Sequence, residues 1–175
     1  MALQSTQPDN RSFLSPIGFQ FSIQKLPHVN YFCTQANVPD ITLGQVDQFD
    51  TPLIRIPQPG SKLTFGQLDV VFNVDEDMKN YKEIYNWLIG LGFPDNFEQS
   101  ANIRTRTPSS RGTVFSDATL LITTAQYQTN VSVNFVDAYP TNLSTLQFNT
   151  QNTDIEYLTA TASFVYRRYE ILDIV

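Results

Sequence analysis

The chain has 175 residues, of which 41% are apolar, and carries 17 acidic against 11 basic residues for a net charge of −6. That is enough length for one sizeable core, and no apolar run approaches the ~20 residues that span a bilayer, so no membrane insertion by this chain is expected. An acidic balance excludes tight nucleic-acid binding through phosphate neutralisation, although it suits a surface past which nucleic acid slides. The lone Cys33 excludes an internal disulfide and fits cytoplasmic synthesis, and the opening MALQSTQPDNRS has no basic-then-apolar pattern of a secretory signal.

Residues 1–17 read as an N-terminal arm, either loose or ordered against a neighbouring subunit. From Gly18 to Leu26, Phe19, Phe21 and Ile23 alternate with Gln20, Ser22 and Gln24, which predicts a strand. Pro27 ends it, and Tyr31 to Ala36 is expected to return as its hairpin partner. His28 falls in the turn between them. With one His and one Cys in the chain, a metal site there is not expected.

Residues 37–61 differ in kind. Pro39, Pro52, Pro57 and Pro59 exclude a central sheet position, yet Ile41, Leu43, Val46, Phe49, Leu53 and Ile56 make the stretch too apolar for a solvated linker. It is either an edge hairpin draped over its own core or an extended arm whose apolar side chains another chain buries. Its length and apolar load favour the inter-subunit arm. A strand is predicted from Lys62 to Val74, with a bulge at Gly66 where the alternation slips.

One helix is predicted, from Glu76 to about Leu91. Asp75 serves as N-cap, and Glu76 and Asp77 lie at the positive end of the dipole. Met78, Tyr81, Ile84, Tyr85, Leu88 and Leu91 form its apolar stripe, with Trp87 off-centre, and Gly90 or Gly92 stops it. Residues 93–114 are an irregular loop holding Arg104, Arg106 and Arg111. It is either a solvated loop or a basic contact for an acidic partner surface. Nothing in it resembles a phosphate-cradling pattern.

Strands are predicted over Phe115–Ala125 and Val131–Val136, joined by a turn at Gln126–Asn130. Pro140 is expected to take the chain out of the sheet, with Leu143, Leu146 and Phe148 folding the link back as a short packed turn. A last long strand runs from Asp154 to Tyr169, with Leu158, Ala160, Ala162, Phe164 and Tyr166 on one face. No base is placed beside a nucleophile and no Gly-x-Ser-x-Gly elbow occurs, so the chain does not read as an enzyme. No cofactor is implied.

The Pro140-Thr141-Asn142 link before the last strand is similar to that of the tail tube proteins of contractile-tailed, T-even-like bacteriophages. Phe19 to Ile23, the Cys33–Ala36–Pro39 spacing and the Asp77–Trp87 helix resemble the same family in the same order. The type VI secretion tube protein and the phage tube initiator and terminator proteins share that fold. The resemblance implies a mainly β chain: an antiparallel sandwich or barrel-like domain over residues 1–175 with one flanking α-helix. It implies hexameric rings stacked into a hollow tube inside a contractile sheath, with sheath, baseplate and tail terminator proteins as partners. Genomic DNA would pass through without specific binding, in a virion tail assembled in the host cytoplasm. A tube initiator, a terminator or a type VI-like ring stands as the alternative. So does a monomeric ligand-binding sandwich using Tyr127, Tyr139, Tyr157 and Tyr166.

Overall fold

The computed structural model describes residues 12–48, 56–92, 114–150 and 156–174. Along the chain these form β1 (Phe19–Ile23), α1 (Pro27–Phe32), β2 (Cys33–Ala36), β3 (Ile41–Gln48), β4 (Ile56–Phe65), β5 (Leu68–Asn73), α2 (Lys79–Gly92), β6 (Ser116–Thr123), β7 (Thr129–Leu143), β8 (Thr159–Val165) and β9 (Arg168–Asp173). Seven strands make one antiparallel sheet in the order β1-β6-β7-β8-β5-β2, with β9 also on β7, while β3 and β4 form a separate two-stranded sheet.

The long strand β7 joins two halves. Its first part pairs with β6 and β9, and its last part, beyond Ala138, pairs with β8 alone. At the corner Asp137 takes φ 57°, its amide donating to Asp117 Oδ1 at 3.0 Å, and the Arg167 amide donates to the Val136 carbonyl at 3.0 Å. The sheet therefore bends over itself and encloses a core. Phe21, Phe72, Phe135 and Phe164 are fully buried there with Leu68, Val70 and Val133. Each such side chain contributes about 1.5–3 kcal/mol by leaving water.

The mainly antiparallel β fold that the resemblance implies is present, with two helices rather than one among the described residues. Several expectations need correction. Tyr31 to Ala36 does not return against the first strand: Pro27 sits in the first turn of α1, where its missing N–H costs nothing, and β2 pairs with β5. His28 is thus helical. The stretch from Lys62 to Val74 is two strands, because the chain breaks at Gly66 and Gln67. Lys62 to Phe65 belongs to the hairpin, and Leu68 onward to the main sheet.

The long helix begins at Lys79, not Glu76. The turn before it is closed by the Met78 amide donating to the Asp75 carbonyl at 2.8 Å, with Met78 at φ 55°. Its buried side is Asn80, Ile84, Trp87 and Gly90, so Trp87 is central and Tyr85 is exposed. The Trp87 indole donates to the Val114 carbonyl at 3.0 Å, and the Lys25 ammonium lies 4.8 Å from its ring centre.

Pro140 stays in its strand. It sits where β7 has a partner on one side only, so its missing donor breaks no ladder, and the register slips between Pro140 and Asn142. The last long strand is split at Tyr166 and Arg167 into β8 and β9, which lie on different parts of β7. Of its expected inner face, Ala160, Ala162, Phe164 and Tyr166 are buried, whereas Leu158 lies before β8 and is half-buried.

Candidate functional site

The β3–β4 hairpin is the feature that the core does not explain. Among the described residues its strands pair only with each other. Ile41 opposes Phe65 and Leu43 opposes Leu63, with Thr42 opposite Thr64 between them. Side chains alternate across a strand, so one face of the hairpin near its base carries four large apolar residues and the other carries threonines. Phe65 packs inward, but Leu43 is 50% and Val46 61% exposed, and Ile41, Ile56 and Leu63 are exposed as well.

The base of this arm is firmly held. The Tyr169 hydroxyl donates to the Pro39 carbonyl at 3.1 Å, and the Gly66 amide to the Asp40 carbonyl at 3.0 Å. The Phe65 ring lies 5.5 Å from Tyr169 and 6.1 Å from Tyr166, which extends the core cluster into the arm. The Tyr166 hydroxyl is buried without a hydrogen-bond partner, and burial pushes its pKa up to about 12. Midway along the arm the register shifts. There a Cβ on Gly60 would lie 2.5 Å from the Gly44 carbonyl oxygen, so the two backbones approach more closely than any side chain permits.

Two further margins are open. Among the described residues β1 pairs only with β6, and β9 only with β7, so the half-sheet β1-β6-β7-β9 has a free strand on each side there. Its face away from the core carries Ser22, Thr119 and Asn134 in register with one another, with Gln20, Leu121, the buried Ser132 and the exposed Leu172 in the neighbouring row. Its charges there include Arg168 and Glu170, which pair at 2.9 Å, and Asp117.

Of the residues singled out from the sequence, Ile41, Leu43, Val46 and Ile56 come together on the hairpin. Phe49 and Leu53, and the basic trio Arg104, Arg106 and Arg111, lie outside the described residues. Leu63 was missed as an arm residue, as were the aromatic anchors Tyr166 and Tyr169. The Leu63–Phe65 alternation was visible, but it reads equally as the start of a core strand.

Among the described residues no group of three or more His, Cys, Asp or Glu could hold a metal ion. His28 Nδ1 meets Glu83 Oε1 at 2.5 Å, tying α1 to α2, and Glu83 Oε2 is buried without a partner. Cys33 is half-buried, its S–H donating to the Gln35 carbonyl at 3.5 Å. Burial outweighs that contact and raises its pKa to about 11, the opposite of an activated thiol. Of the four sandwich tyrosines, Tyr127 and Tyr157 are exposed and Tyr166 is buried, so they line no common groove.

A projecting apolar arm and unpaired strand margins are surfaces made for protein. The chain belongs to the phage tail tube protein family, whose model matches residues 3–172. It is 24% identical over 136 residues to the tail tube terminator protein of Enterobacteria phage T4, covering 77% of this chain and 73% of that relative. Its fold is shared with the tube-terminating cap of the anti-feeding prophage, at a TM-score of 0.66 and 16% identity over 99% of this chain and 100% of that one. It is also shared with a chain of the PVC sheath–tube complex, an extracellular contractile injection system in its extended state, at a TM-score of 0.64 and 14% identity, with 99% and 100% covered. The family and these neighbours are tail and tube components rather than enzymes.

Proposed function

We propose that the protein is a ring-forming structural subunit in the tube of a contractile phage tail, acting as a conduit for the genome. The observation that carries this reading is the half-sheet β1-β6-β7-β9, which is capped by core on one face and has an unpaired strand at each side. Joining the β1 margin of one copy to the β9 margin of the next satisfies both edges, and repeating that step closes a hexameric ring. The face away from the core, which mixes polar residues with Leu121 and Leu172, then turns inward. Hydroxyls, amides and an ion-paired Arg168 give phosphate little to hold, which suits transient passage of DNA without specific binding.

The exposed hairpin supports stacking of rings into a tube. Deleting residues 40–57 should block stacking and leave rings intact; unchanged polymer length would remove the arm from that role. Sheath and baseplate proteins are the expected neighbours in a virion tail put together in the host cytoplasm.

A second reading places the ring at the end of the tube. The relationship to the T4 tail tube terminator favours it. Copy number separates the two. Quantitative mass spectrometry of purified virions should find this chain in a multiple of many rings for the repeated subunit, and in about one ring per tail for the terminal one. Absence from virions would overturn both readings.

A further inference from the structure

The free margins of the half-sheet do not offer every residue to a neighbour, because a strand turns successive N–H and C=O groups to opposite sides. The Thr123 amide donates to the Gly18 carbonyl at 3.0 Å, so Gly18 faces β6, and Gln20 and Ser22 follow by the period of two. Phe19, Phe21 and Ile23 therefore turn their backbone groups outward. On the other margin the Ile174 amide donates to the Asn130 carbonyl at 2.8 Å. That sets Leu172 and Glu170 against β7 and turns the backbone groups of Tyr169, Ile171 and Asp173 outward.

One of these positions is already closed. The Ile23 amide donates to Asn30 Oδ1 at 2.8 Å, and Asn30 Nδ2 donates back to the Ile23 carbonyl at 3.0 Å. These are the two bonds that a neighbouring strand would make, supplied instead by a side chain of α1. The Leu26 amide also donates to the Ile23 carbonyl at 3.2 Å, turning the chain into α1 beside the end of the margin. Phe19 and Phe21 are what β1 has left to offer.

We infer that Asn30, by closing the margin at Ile23, fixes the register in which β9 of the next copy joins β1. Each strand from β1 to β9 is antiparallel to the last, so the two margins run in opposite directions and copies related by rotation meet antiparallel. Two alignments use both Phe19 and Phe21. In the first, Phe19 opposes Asp173 and Phe21 opposes Ile171, but Tyr169 then arrives at Ile23, where Asn30 stands. In the second, Phe19 opposes Ile171 and Phe21 opposes Tyr169, and β9 begins at Arg168, just short of Asn30. The side chains select the second as well. Phe19 packs against the core, while Ile171, on the same side of the sheet, is 58% exposed. The second alignment lays Ile171 on Phe19; the first sets the Asp173 carboxylate there. On the opposite face the second brings Gln20 to about 4.5 Å from Glu170 of the next copy, between Cα atoms. The inference rests on the ring proposal and adds the register to it.

Cysteine trapping reads that register. Within one chain β1 and β9 lie three inter-strand spacings apart, about 14 Å, beyond the reach of a disulfide, so every product joins two copies. In a Cys33→Ser background, Gln20→Cys with Glu170→Cys should give covalent multimers on mild oxidation. The yield should be at least tenfold that of Gln20→Cys with Leu172→Cys, which reports the first alignment. Asn30→Ala should bring the two yields to within about threefold. Equal or greater product from the Leu172→Cys pair overturns the inference and leaves the ring proposal standing. So does an unchanged ratio in an Asn30→Ala chain that Trp87 fluorescence shows to be folded. Amide exchange on the parent protein needs no Asn30 variant. In the dilute, unassembled chain Ile23 should exchange at least tenfold more slowly than Phe21, and in rings Phe19 and Phe21 should slow as well. Ile23 exchanging as fast as Phe21 overturns the inference. Rings without product from either pair overturn it together with the β1–β9 joint, and a chain that never assembles overturns the ring proposal too.

Discussion

Asn80 offers a demanding test of the fold, because a buried amide here replaces the acidic helix start that the sequence suggests. It is 0% exposed. Its Oδ1 accepts from the Tyr81 amide at 2.8 Å and the Asp75 amide at 3.3 Å, and its Nδ2 donates to the Asn73 carbonyl at 2.8 Å. One side chain thus fastens the end of β5 to the first turn of α2. Asn80→Ala removes all three bonds and leaves buried backbone groups unpaired. At about 1 kcal/mol net per bond, the expected loss is about 3 kcal/mol. For a chain of this size that is a fall in Tm of roughly 6–12 °C. Urea unfolding followed by Trp87 fluorescence measures it, at a concentration where copies do not associate, since assembly would add stability by mass action. Asn80→Asp should do no better, because an oxygen would then face the Asn73 carbonyl. A loss below about 1 kcal/mol for Asn80→Ala would refute this account of how the helix is attached.

Gly60→Ala should force β3 and β4 apart at their close approach and impair stacking, while urea unfolding of the body stays within about 0.5 kcal/mol of the parent; an intact arm by hydrogen exchange would contradict this. One tyrosine, Tyr166, should titrate last in absorbance at 295 nm, near pH 12. Its folded pKa lies above the ordinary 10.0, so its contribution to stability is complete below about pH 10 and lost as pH climbs toward 12. Tyr166→Phe should flatten that alkaline decline, and an unchanged decline counts against it. The Cys33 thiol, raised from 9.0 to about 11, should react with a disulfide reagent at pH 8 at least tenfold more slowly folded than in urea. Equal rates would show that its burial is not maintained.

Much of the sheet was legible because its alternation is strict. Phe21 and Ile23, Leu120, Val133 and Phe135, and Ala160, Ala162 and Phe164 all face the core as their period of two requires. The arm was legible for the opposite reason: prolines within an apolar stretch fit neither a core strand nor a linker. Boundaries set by tertiary contacts were not legible. The slip at Gly66 reads equally as a bulge and alternation continues through Tyr166, so only the pairing partners show that the chain leaves the hairpin for the main sheet at the first point and moves to another part of β7 at the second. Pro140 misled because the rule against proline in a ladder depends on whether its N–H side has a partner, which spacing alone does not reveal. The helix start misled because a side chain seven residues beyond Asn73 closes the turn that Asp75 would otherwise cap.

The arm residues Ile41, Leu43, Val46 and Ile56 were identified by composition. Leu63 and the Tyr169–Pro39 anchor needed the fold, since they come from segments far apart in the chain.

Electron microscopy of the purified protein, with native mass spectrometry of the same sample, tests most directly whether this chain is completed by copies of itself. The account predicts six-fold rings of uniform bore, with the β1 margin of each copy against the β9 margin of its neighbour. A protein that remains strictly monomeric at high concentration, with both strand margins freely exchanging their amide hydrogens, would contradict it.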